Sequence, residues 1–198
     1  MNIPLKKGIS KKKEETTTKE LIKSFDQQKE LNPKIWEKGD GENYTMKPEV
    51  RERLLEIAYQ FIDYLGVDIV VTDVVLTGSL SNYSWSKYSD FDVHIIANYH
   101  QFPPSQVELY KELFMLKKAI FNKNHDIKLF GYEVELYIED EAEAHFSSGV
   151  YSLLFDEWAR EPKKEKITID KGTVERKAKQ WMDIIDGVLD NIEDEDID

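Results

Sequence analysis

Two short apolar segments, each next to an amphipathic helix, constrain the fold of this chain most. Residues 69–76 have the sequence IVVTDVVL, whose β-branched side chains predict a buried strand. A second strand is predicted over Phe91–Ala97, after the turn-rich segment 78–89. Apolar residues at helical spacing predict helices over Pro48–Leu65 and from Val107 to about residue 124. Strands that alternate with helices predict an α/β (α+β) fold, with a small mixed β-sheet and helices packed mainly on one side.

The rest of the chain predicts further elements. A third strand is predicted over residues 127–138, with Gly131 as a bulge or kink. Residues 146–155 and 166–169 are weaker strand candidates. An amphipathic pattern over residues 173–192 predicts a C-terminal helix, which we expect to cover the sheet.

The composition along the chain predicts four parts. Residues 1–18 hold too few apolar side chains to offset the entropy of ordering, which predicts a disordered basic arm. Residues 19–45 form an N-terminal extension, and residues 46–160 form the core of the fold. Residues 161–198 supply the C-terminal helix and an acidic tail.

The overall composition excludes several classes of function. The chain has no cysteine, so it has no disulfide, no zinc-thiolate site and no cysteine nucleophile. A net charge of −12 argues against tight binding of a long nucleic acid. No window approaches the roughly 20 apolar residues of a membrane span, and no apolar run follows the lysine-rich N-terminus. We therefore expect a soluble cytoplasmic protein that does not bind membranes.

One stretch combines a glycine-containing turn with paired carboxylates. A Gly78-Ser79 pair is followed, after ten residues, by Asp90-Phe91-Asp92. Alternate side chains of a strand share a face, so Asp90 and Asp92 project together about 7 Å apart and suit hard divalent cations. Gly78 permits a tight turn close to a ligand, and a short helix from Ser79 would aim free N–H groups at an anion. A metal-bound triphosphate needs both features.

A third carboxylate is expected on the third predicted strand. Glu133 and Glu135 share one face of that strand, while Val134 and Leu136 share the other. Either glutamate would point toward Asp90 and Asp92 if the two strands pair. The sequence does not choose between them.

Other polar and aromatic side chains near the motif have two interpretations each. His94 continues the face of the aspartates as a ligand, a base or a hydrogen-bonding partner, and a structural histidine is favoured. Lys87 would neutralise phosphate charge or serve as a solvated lysine. Tyr83, Trp85 and Tyr88 would stack on a base or pack the loop onto the core.

These residues resemble the DNA polymerase beta type nucleotidyltransferase superfamily, in particular its small, phage-encoded members. The signature is an apolar strand, Gly-Ser, about ten residues, Ser-Asp-x-Asp and a later acidic residue on a neighbouring strand. The chain matches it at Gly78, Ser79, Ser89, Asp90 and Asp92, and the resemblance spans residues 50–138. It implies that the aspartates are catalytic and bind two Mg²⁺ or Mn²⁺ ions. It implies the same of Glu135, the closest counterpart of the family's third acid.

The resemblance also implies an activity. This is transfer of a nucleoside monophosphate from an NTP, such as ATP, to a hydroxyl of a protein, an RNA such as a tRNA end, or a small molecule, with release of pyrophosphate. The implied nucleotide-binding residues are Gly78, Ser79, Ser89, Lys87 and Tyr83, although many relatives have glycine where Tyr83 stands. The site of action would be the cytoplasm, of the host if the protein is phage-encoded.

The segment after the third predicted strand bears on the acceptor. About 60 residues follow it, too few for the large domain with which polymerising relatives clamp nucleic acid, which favours a small or protein acceptor. One alternative is a catalytically inactive nucleotide-binding or protein-interaction module on the same fold. Another is a virion or scaffold component that uses its basic arm on nucleic acid.

Overall fold

The computed structural model describes residues 27–41, 43–143, 147–164 and 170–195. The predicted arm and the strand candidate 166–169 lie outside the described residues. Contacts within the chain divide it into two units. Residues 24–167 form one, and residues 1–23 with 168–198 form the other.

The described part of the larger unit contains two α-helices and eight strands. Helix α1 is Pro48–Leu65 and helix α2 is Val107–Asn124. The strands are β1 (Trp36–Lys38), β2 (Tyr44–Met46), β3 (Val71–Thr77), β4 (Phe91–Ala97), β5 (Lys128–Leu129), β6 (Tyr132–Asp140), β7 (Val150–Ser152) and β8 (Glu157–Arg160).

Both helices have the predicted bounds, for identifiable local reasons. Pro48 occupies the first turn of α1, where a missing N–H breaks no helical hydrogen bond. Gly66 ends α1 in the left-handed conformation, with φ of 62°, which glycine adopts without steric cost. Helix α2 begins at Val107, directly after a short 3₁₀ turn over Pro104–Gln106.

Six strands form one mixed sheet in the order β5-β6-β4-β3-β7-β8. Strands β4 and β6 pair in parallel, and the other neighbouring pairs are antiparallel. Strands β1 and β2 form a separate antiparallel pair. The predicted mixed α+β architecture is therefore confirmed, and β4 pairs with β6 as the candidate site requires.

The main hydrophobic core lies on one face of this sheet, and Val75, Ile96 and Val150 form a smaller, separate buried cluster. Phe91, Val93 and Ile95 of β4 belong to a single buried cluster, together with Val134 and Leu136 of β6. Helices α1 and α2 contribute to the same cluster, so both cover this face. Their buried members are Val50, Leu54, Ile57, Ala58, Phe61, Leu65, Phe114 and Phe121.

The prediction of one continuous strand over residues 127–138 was wrong. The segment is a hairpin, in which Lys128 pairs with Glu133 and Leu129 pairs with Tyr132. Phe130 and Gly131 connect the two strands, and both have positive φ, 54° and 91°. Such a two-residue turn suits the right-handed twist of paired strands. Gly131 therefore reverses the chain rather than bending one strand.

The described part of the N-terminal extension packs against β7 and β8 at one edge of the sheet. The Trp36 ring stacks on Trp158 at 4.5 Å between ring centroids and meets Tyr151 edge-on at 5.0 Å. Its indole N–H donates a hydrogen bond to the Leu80 carbonyl at 2.8 Å. Ile35 is also fully buried. The segment is thus tied to the loop that follows β3.

The second unit is described by its helix alone. Helix α3 is Lys171–Glu195, slightly longer than predicted. The Thr173 hydroxyl donates to the Asp170 carboxylate at 2.7 Å at its start, and this bond lowers the pKa of Asp170. None of the helices in the described part of the chain is both long and apolar enough to cross a membrane.

Candidate metal centre

The face of the sheet opposite the core carries the acidic residues. Asp92 of β4 lies between Thr77 of β3 and Glu135 of β6, which are its direct partners in the two ladders. Asp90 immediately precedes β4. The alternation that buries Phe91 and Val93 therefore turns the carboxylates away from the core.

Asp90, Asp92 and Glu135 form one cluster. Each offers a carboxylate oxygen, and these three atoms lie within 4.8 Å of one another. All three side chains are partly exposed. Oxygen ligands converging at this separation are what Mg²⁺ and similar hard cations require.

Glu133 lies outside this cluster. Its side chain is 63% exposed and lies 3.5 Å from the ammonium of Lys128 on the neighbouring strand. The hairpin register places it opposite β5, whereas Glu135 lies two residues further on, opposite Asp92. The structure thus places Glu135, the residue implied by the family resemblance, beside the aspartates.

Burial and neighbouring negative charge raise the pKa values of both aspartates of the cluster. Burial, followed by the Asp90 carboxylate, raises the pKa of Asp92 to about 6, against the opposing effects of His94 and Lys118. Burial, with Glu135 and Glu133, also raises the pKa of Asp90. Neighbouring carboxylates therefore disfavour ionisation of Asp90 and Asp92, and a bound cation would relieve that repulsion.

Gly78 packs directly against the Asp92 side chain of the cluster. It follows β3 with φ of 72° and ψ of −160°, a region that is essentially restricted to glycine. A Cβ at this position would lie 1.8 Å from Asp92 Oδ2. Gly78 therefore leaves room for a carboxylate of the cluster, and its backbone conformation requires glycine as well.

Side chains hold the turn that Gly78 begins. The Gly78 carbonyl accepts hydrogen bonds from the Ser81 hydroxyl at 2.9 Å and the Asn82 amide at 2.7 Å. The segment Ser79–Ser81 is a single 3₁₀ turn. Gly149 packs beneath it, where a Cβ would lie 2.1 Å from the Ser81 carbonyl oxygen. The turn is therefore held by hydrogen bonds to the Gly78 carbonyl and by the close packing of Gly149.

The two motif serines contact each other. The Ser79 hydroxyl donates to the Ser89 hydroxyl at 2.6 Å, and Ser89 Oγ also accepts the N–H of Ser86 at 2.9 Å. This bond joins the two ends of the loop between β3 and β4. It brings the residue before Asp90 to the start of the Gly-Ser turn.

The loop aromatics divide into buried and exposed residues. Tyr83 is 4% exposed, and the Lys164 ammonium lies 4.6 Å from its ring centroid. The Trp85 indole N–H donates to the Glu30 carbonyl at 2.8 Å. Tyr88 is 54% exposed, with Lys87 Nζ 4.9 Å from its ring centroid. Tyr83 and Trp85 therefore pack the loop, and Tyr88 with Lys87 lies at the surface.

His94 has partners on the same face. Its Nδ1 lies 2.8 Å from Glu139 Oε1, and its ring stacks on Tyr137 at 4.6 Å between centroids. It does not belong to the acidic cluster found among the described residues. These contacts match the interpretation as a hydrogen-bonding partner.

Two residues near the cluster were not predicted. The Tyr137 hydroxyl donates to Glu135 Oε2 at 2.5 Å. The Lys118 ammonium lies 3.6 Å from the Tyr137 ring centroid. The alternation of β6, which places Tyr137 on the face of Glu135, was a usable signal for the tyrosine. Lys118 lies on α2, and no local pattern marks it.

Comparison with known proteins gives no assignment. The chain matches no model of a protein family, no curated protein and no solved structure. The geometry of the acidic cluster and of the turn beside it is the feature of the chain that bears on function.

Proposed function

We propose that this protein is a metal-dependent nucleotidyltransferase of the DNA polymerase beta type. The observation that carries the proposal is the convergence of Asp90, Asp92 and Glu135 within 4.8 Å at the end of two parallel strands, directly beside the Gly78 turn. An isolated acidic cluster is common on protein surfaces. A glycine whose missing side chain makes room for one of the acids is a more specific feature.

The donor set fits Mg²⁺ or Mn²⁺. All three residues offer carboxylate oxygens, and the neighbouring Thr77 and Gly78 offer no soft ligand. Asp90 and Asp92 would hold the cations on the nucleotide side, and Glu135 would complete the site on the side of the acceptor. Bound cations would supply charge neutralisation for the triphosphate and lower the pKa of an acceptor hydroxyl.

The proposed reaction joins the acceptor oxygen to the α-phosphorus of the NTP. The bond from that phosphorus to the bridging oxygen breaks, and pyrophosphate leaves with the electron pair, while the acceptor hydroxyl releases its proton to solvent water. The chain's contribution is to hold the carboxylates in fixed positions on paired strands. Such positioning accounts for most of catalysis in phosphoryl transfer.

The triphosphate would lie over the turn that follows β3. Gly78 and Ser79 would face the phosphates, and the hydrogen bond from Ser79 to Ser89 would keep the turn closed. Lys87 lies on the same loop, and its ammonium would neutralise phosphate charge. The Tyr83 ring is buried, so it would stabilise this loop by packing. It would not stack on the base of the nucleotide, as an exposed ring would.

The acceptor is a hydroxyl of a protein, an RNA or a small molecule. A cleft of about 230 Å³ beside Glu135 is also lined by Glu133, Asn122 and His125, and it would admit the acceptor. A site this small suits the end of one group rather than a duplex. We therefore favour a protein or small-molecule acceptor.

The test measures cation binding and transfer in matched variants. Mn²⁺ titrations followed by electron paramagnetic resonance give the affinity, and labelled ATP, CTP, GTP and UTP with a cell lysate report the acceptor. Asp92→Asn should abolish both. Glu135→Gln should reduce transfer by about 10²-fold with a smaller effect on Mn²⁺–NTP affinity, because it removes an interaction expressed in the transition state.

Glu133→Gln is the matched control. It makes the same chemical change two residues away, on an exposed glutamate that lies 3.5 Å from Lys128 and outside the cluster of three carboxylates, so transfer should stay within about 3-fold of wild type. Exchange of the two glutamate phenotypes would contradict the assignment of Glu135. Mn²⁺–NTP binding without labelling of any acceptor would favour the inactive nucleotide-binding module.

A further inference from the structure

A single hydrogen bond ties Glu135 to a neighbouring tyrosine. The Tyr137 hydroxyl donates to Glu135 Oε2 at 2.5 Å, and the two side chains lie on the same face of β6. Charge-assisted O–H to carboxylate bonds of this length are among the stronger side-chain bonds. The bond engages one carboxylate oxygen and leaves Oε1 available as a ligand.

The ring that carries this hydroxyl is itself held. His94 stacks on it nearly parallel, at 4.6 Å between centroids and 11° between planes. The Lys118 ammonium lies 3.6 Å from the same centroid. An imidazole and an ammonium this close to one centroid cannot share a face, so they contact opposite faces of the ring. Rotation of Tyr137 would break both contacts.

Both supports of the ring are fixed to regular elements. His94 pairs directly with Tyr137 in the β4–β6 ladder, and its Nδ1 lies 2.8 Å from Glu139. Lys118 lies one helical turn before Asn122, whose amide bonds the backbone of Leu136 in both directions, at 3.2 and 3.3 Å. The edge of β6 is therefore joined to α2 next to the acidic cluster.

We infer that Tyr137 is a positioning residue, which holds the Glu135 carboxylate in the orientation that brings one of its oxygens within 4.8 Å of Asp90 and Asp92. The inference rests on the proposed cation site. Without the hydroxyl, the Glu135 side chain would gain rotamers that point it toward solvent, away from two other negative charges. Partners that orient metal ligands in this way affect metal affinity strongly, with losses of about 10- to 100-fold on removal.

Tyr137→Phe tests the inference, because it deletes the hydroxyl and keeps the ring between His94 and Lys118. Mn²⁺ binding to the full chain, in the absence of nucleotide, should weaken by about 10-fold. In a Glu135→Ala background the same change should alter Mn²⁺ affinity by less than about 2-fold, since a residue that acts through Glu135 has nothing left to act on.

Tyr151→Phe is the control. It removes a comparable tyrosine hydroxyl bond to a carboxylate, that to Asp156 at 2.8 Å, from another part of the same sheet. Mn²⁺ affinity should stay at the wild-type value even if the thermal midpoint falls. A purely structural role for Tyr137 would make the two tyrosine variants behave alike, so equal Mn²⁺ affinities would overturn the inference.

The remaining outcomes separate this inference from the proposed function. If Asp92→Asn abolishes Mn²⁺ binding and Tyr137→Phe leaves it unchanged, the cation site stands and the positioning role is wrong. A 10-fold loss that persists in the Glu135→Ala background also overturns it, because Tyr137 would then act by another route. Failure of the wild-type protein to bind Mn²⁺ would remove both.

Discussion

The two faces of strands β4 and β6 differ most at the positions of Asp92 and Glu135. On one face, Phe91, Val93 and Leu136 are fully buried under two helices. On the other face, Asp92 and Glu135 are direct neighbours, and the pKa of Asp92 is raised to about 6. Adjacent residues of one strand thus lie in different environments, one in the apolar core and the next in the acidic cluster.

This difference separates stability from proposed function along the same strands. Burial of apolar side chains on the first face contributes favourable free energy of folding. Ionisation of Asp90 and Asp92 on the second face opposes folding, because burial and the neighbouring carboxylates penalise it. Substitutions on the two faces should therefore change different measurements, and the contrast is open to direct tests.

The largest expected effect on stability comes from the apolar face. Leu136→Ala should lower the free energy of unfolding by about 2–5 kcal/mol, because it deletes a fully buried side chain and leaves a cavity. Urea denaturation measures the change. Mn²⁺ affinity, measured below the unfolding transition, should stay within about 3-fold of wild type.

The adjacent position on the other face is its counterpart. Glu135→Ala should change the stability of the metal-free protein by less than about 1 kcal/mol, because relief of carboxylate repulsion offsets the lost hydrogen bond from Tyr137, while Mn²⁺ affinity falls. The contrast between the two faces would be contradicted if Leu136→Ala removed Mn²⁺ binding in a folded protein. It would equally be contradicted if Glu135→Ala destabilised the fold by several kcal/mol.

The second prediction concerns Gly78, where one substitution should affect both stability and cation binding. Gly78→Ala should lower the free energy of unfolding by about 1–3 kcal/mol through backbone strain, and it should also abolish Mn²⁺ binding because the new Cβ displaces the Asp92 carboxylate. Mn²⁺ titration and urea denaturation of one sample separate the two effects.

Gly131→Ala is the control for backbone strain alone. Gly131 also has positive φ, of 91°, but a Cβ there would have no neighbour within 4 Å. It should therefore lose stability and keep its Mn²⁺ affinity. Retained Mn²⁺ binding in Gly78→Ala would show that Asp92 moves without cost, and that the glycine serves the turn alone.

Local pattern was enough to predict much of the fold. The bounds of α1 and β4 follow from apolar spacing and from Pro48 and Gly66, which act within a few residues of themselves. The shared face of Asp90 and Asp92 follows from strand alternation in the same way. Each of these features depends on neighbours in sequence.

Features that depend on distant pairing were not predictable. The choice of Glu135 over Glu133 depends on the register of β6 against β4 and on the reversal at Gly131, which looked like a bulge. The contact of Gly78 with Asp92 joins two segments fourteen positions apart through the sheet. Lys118 approaches Tyr137 from a helix, and no periodicity in its own segment indicates that contact.

The smallest expected effect is a pH dependence of stability that arises from Asp92. Its carboxyl pKa rises from 3.8 to about 6 on folding, mainly through burial. Between these values the folded state binds more protons than the unfolded chain, so the free energy of unfolding falls as pH rises through this window and stays lower above it. Asp92→Asn lacks the group, so its stability relative to wild type should increase between pH 4 and pH 7, by about 1 kcal/mol after allowance for partial solvent exposure.

Urea denaturation of both proteins at several pH values, without divalent cations, measures this difference, and saturating Mn²⁺ at pH 7 should stabilise the wild type alone. A difference between the two proteins that stays constant from pH 4 to pH 7 would show that Asp92 ionises in the fold as it does in the unfolded chain, and that the acidic face carries no penalty for a cation to relieve.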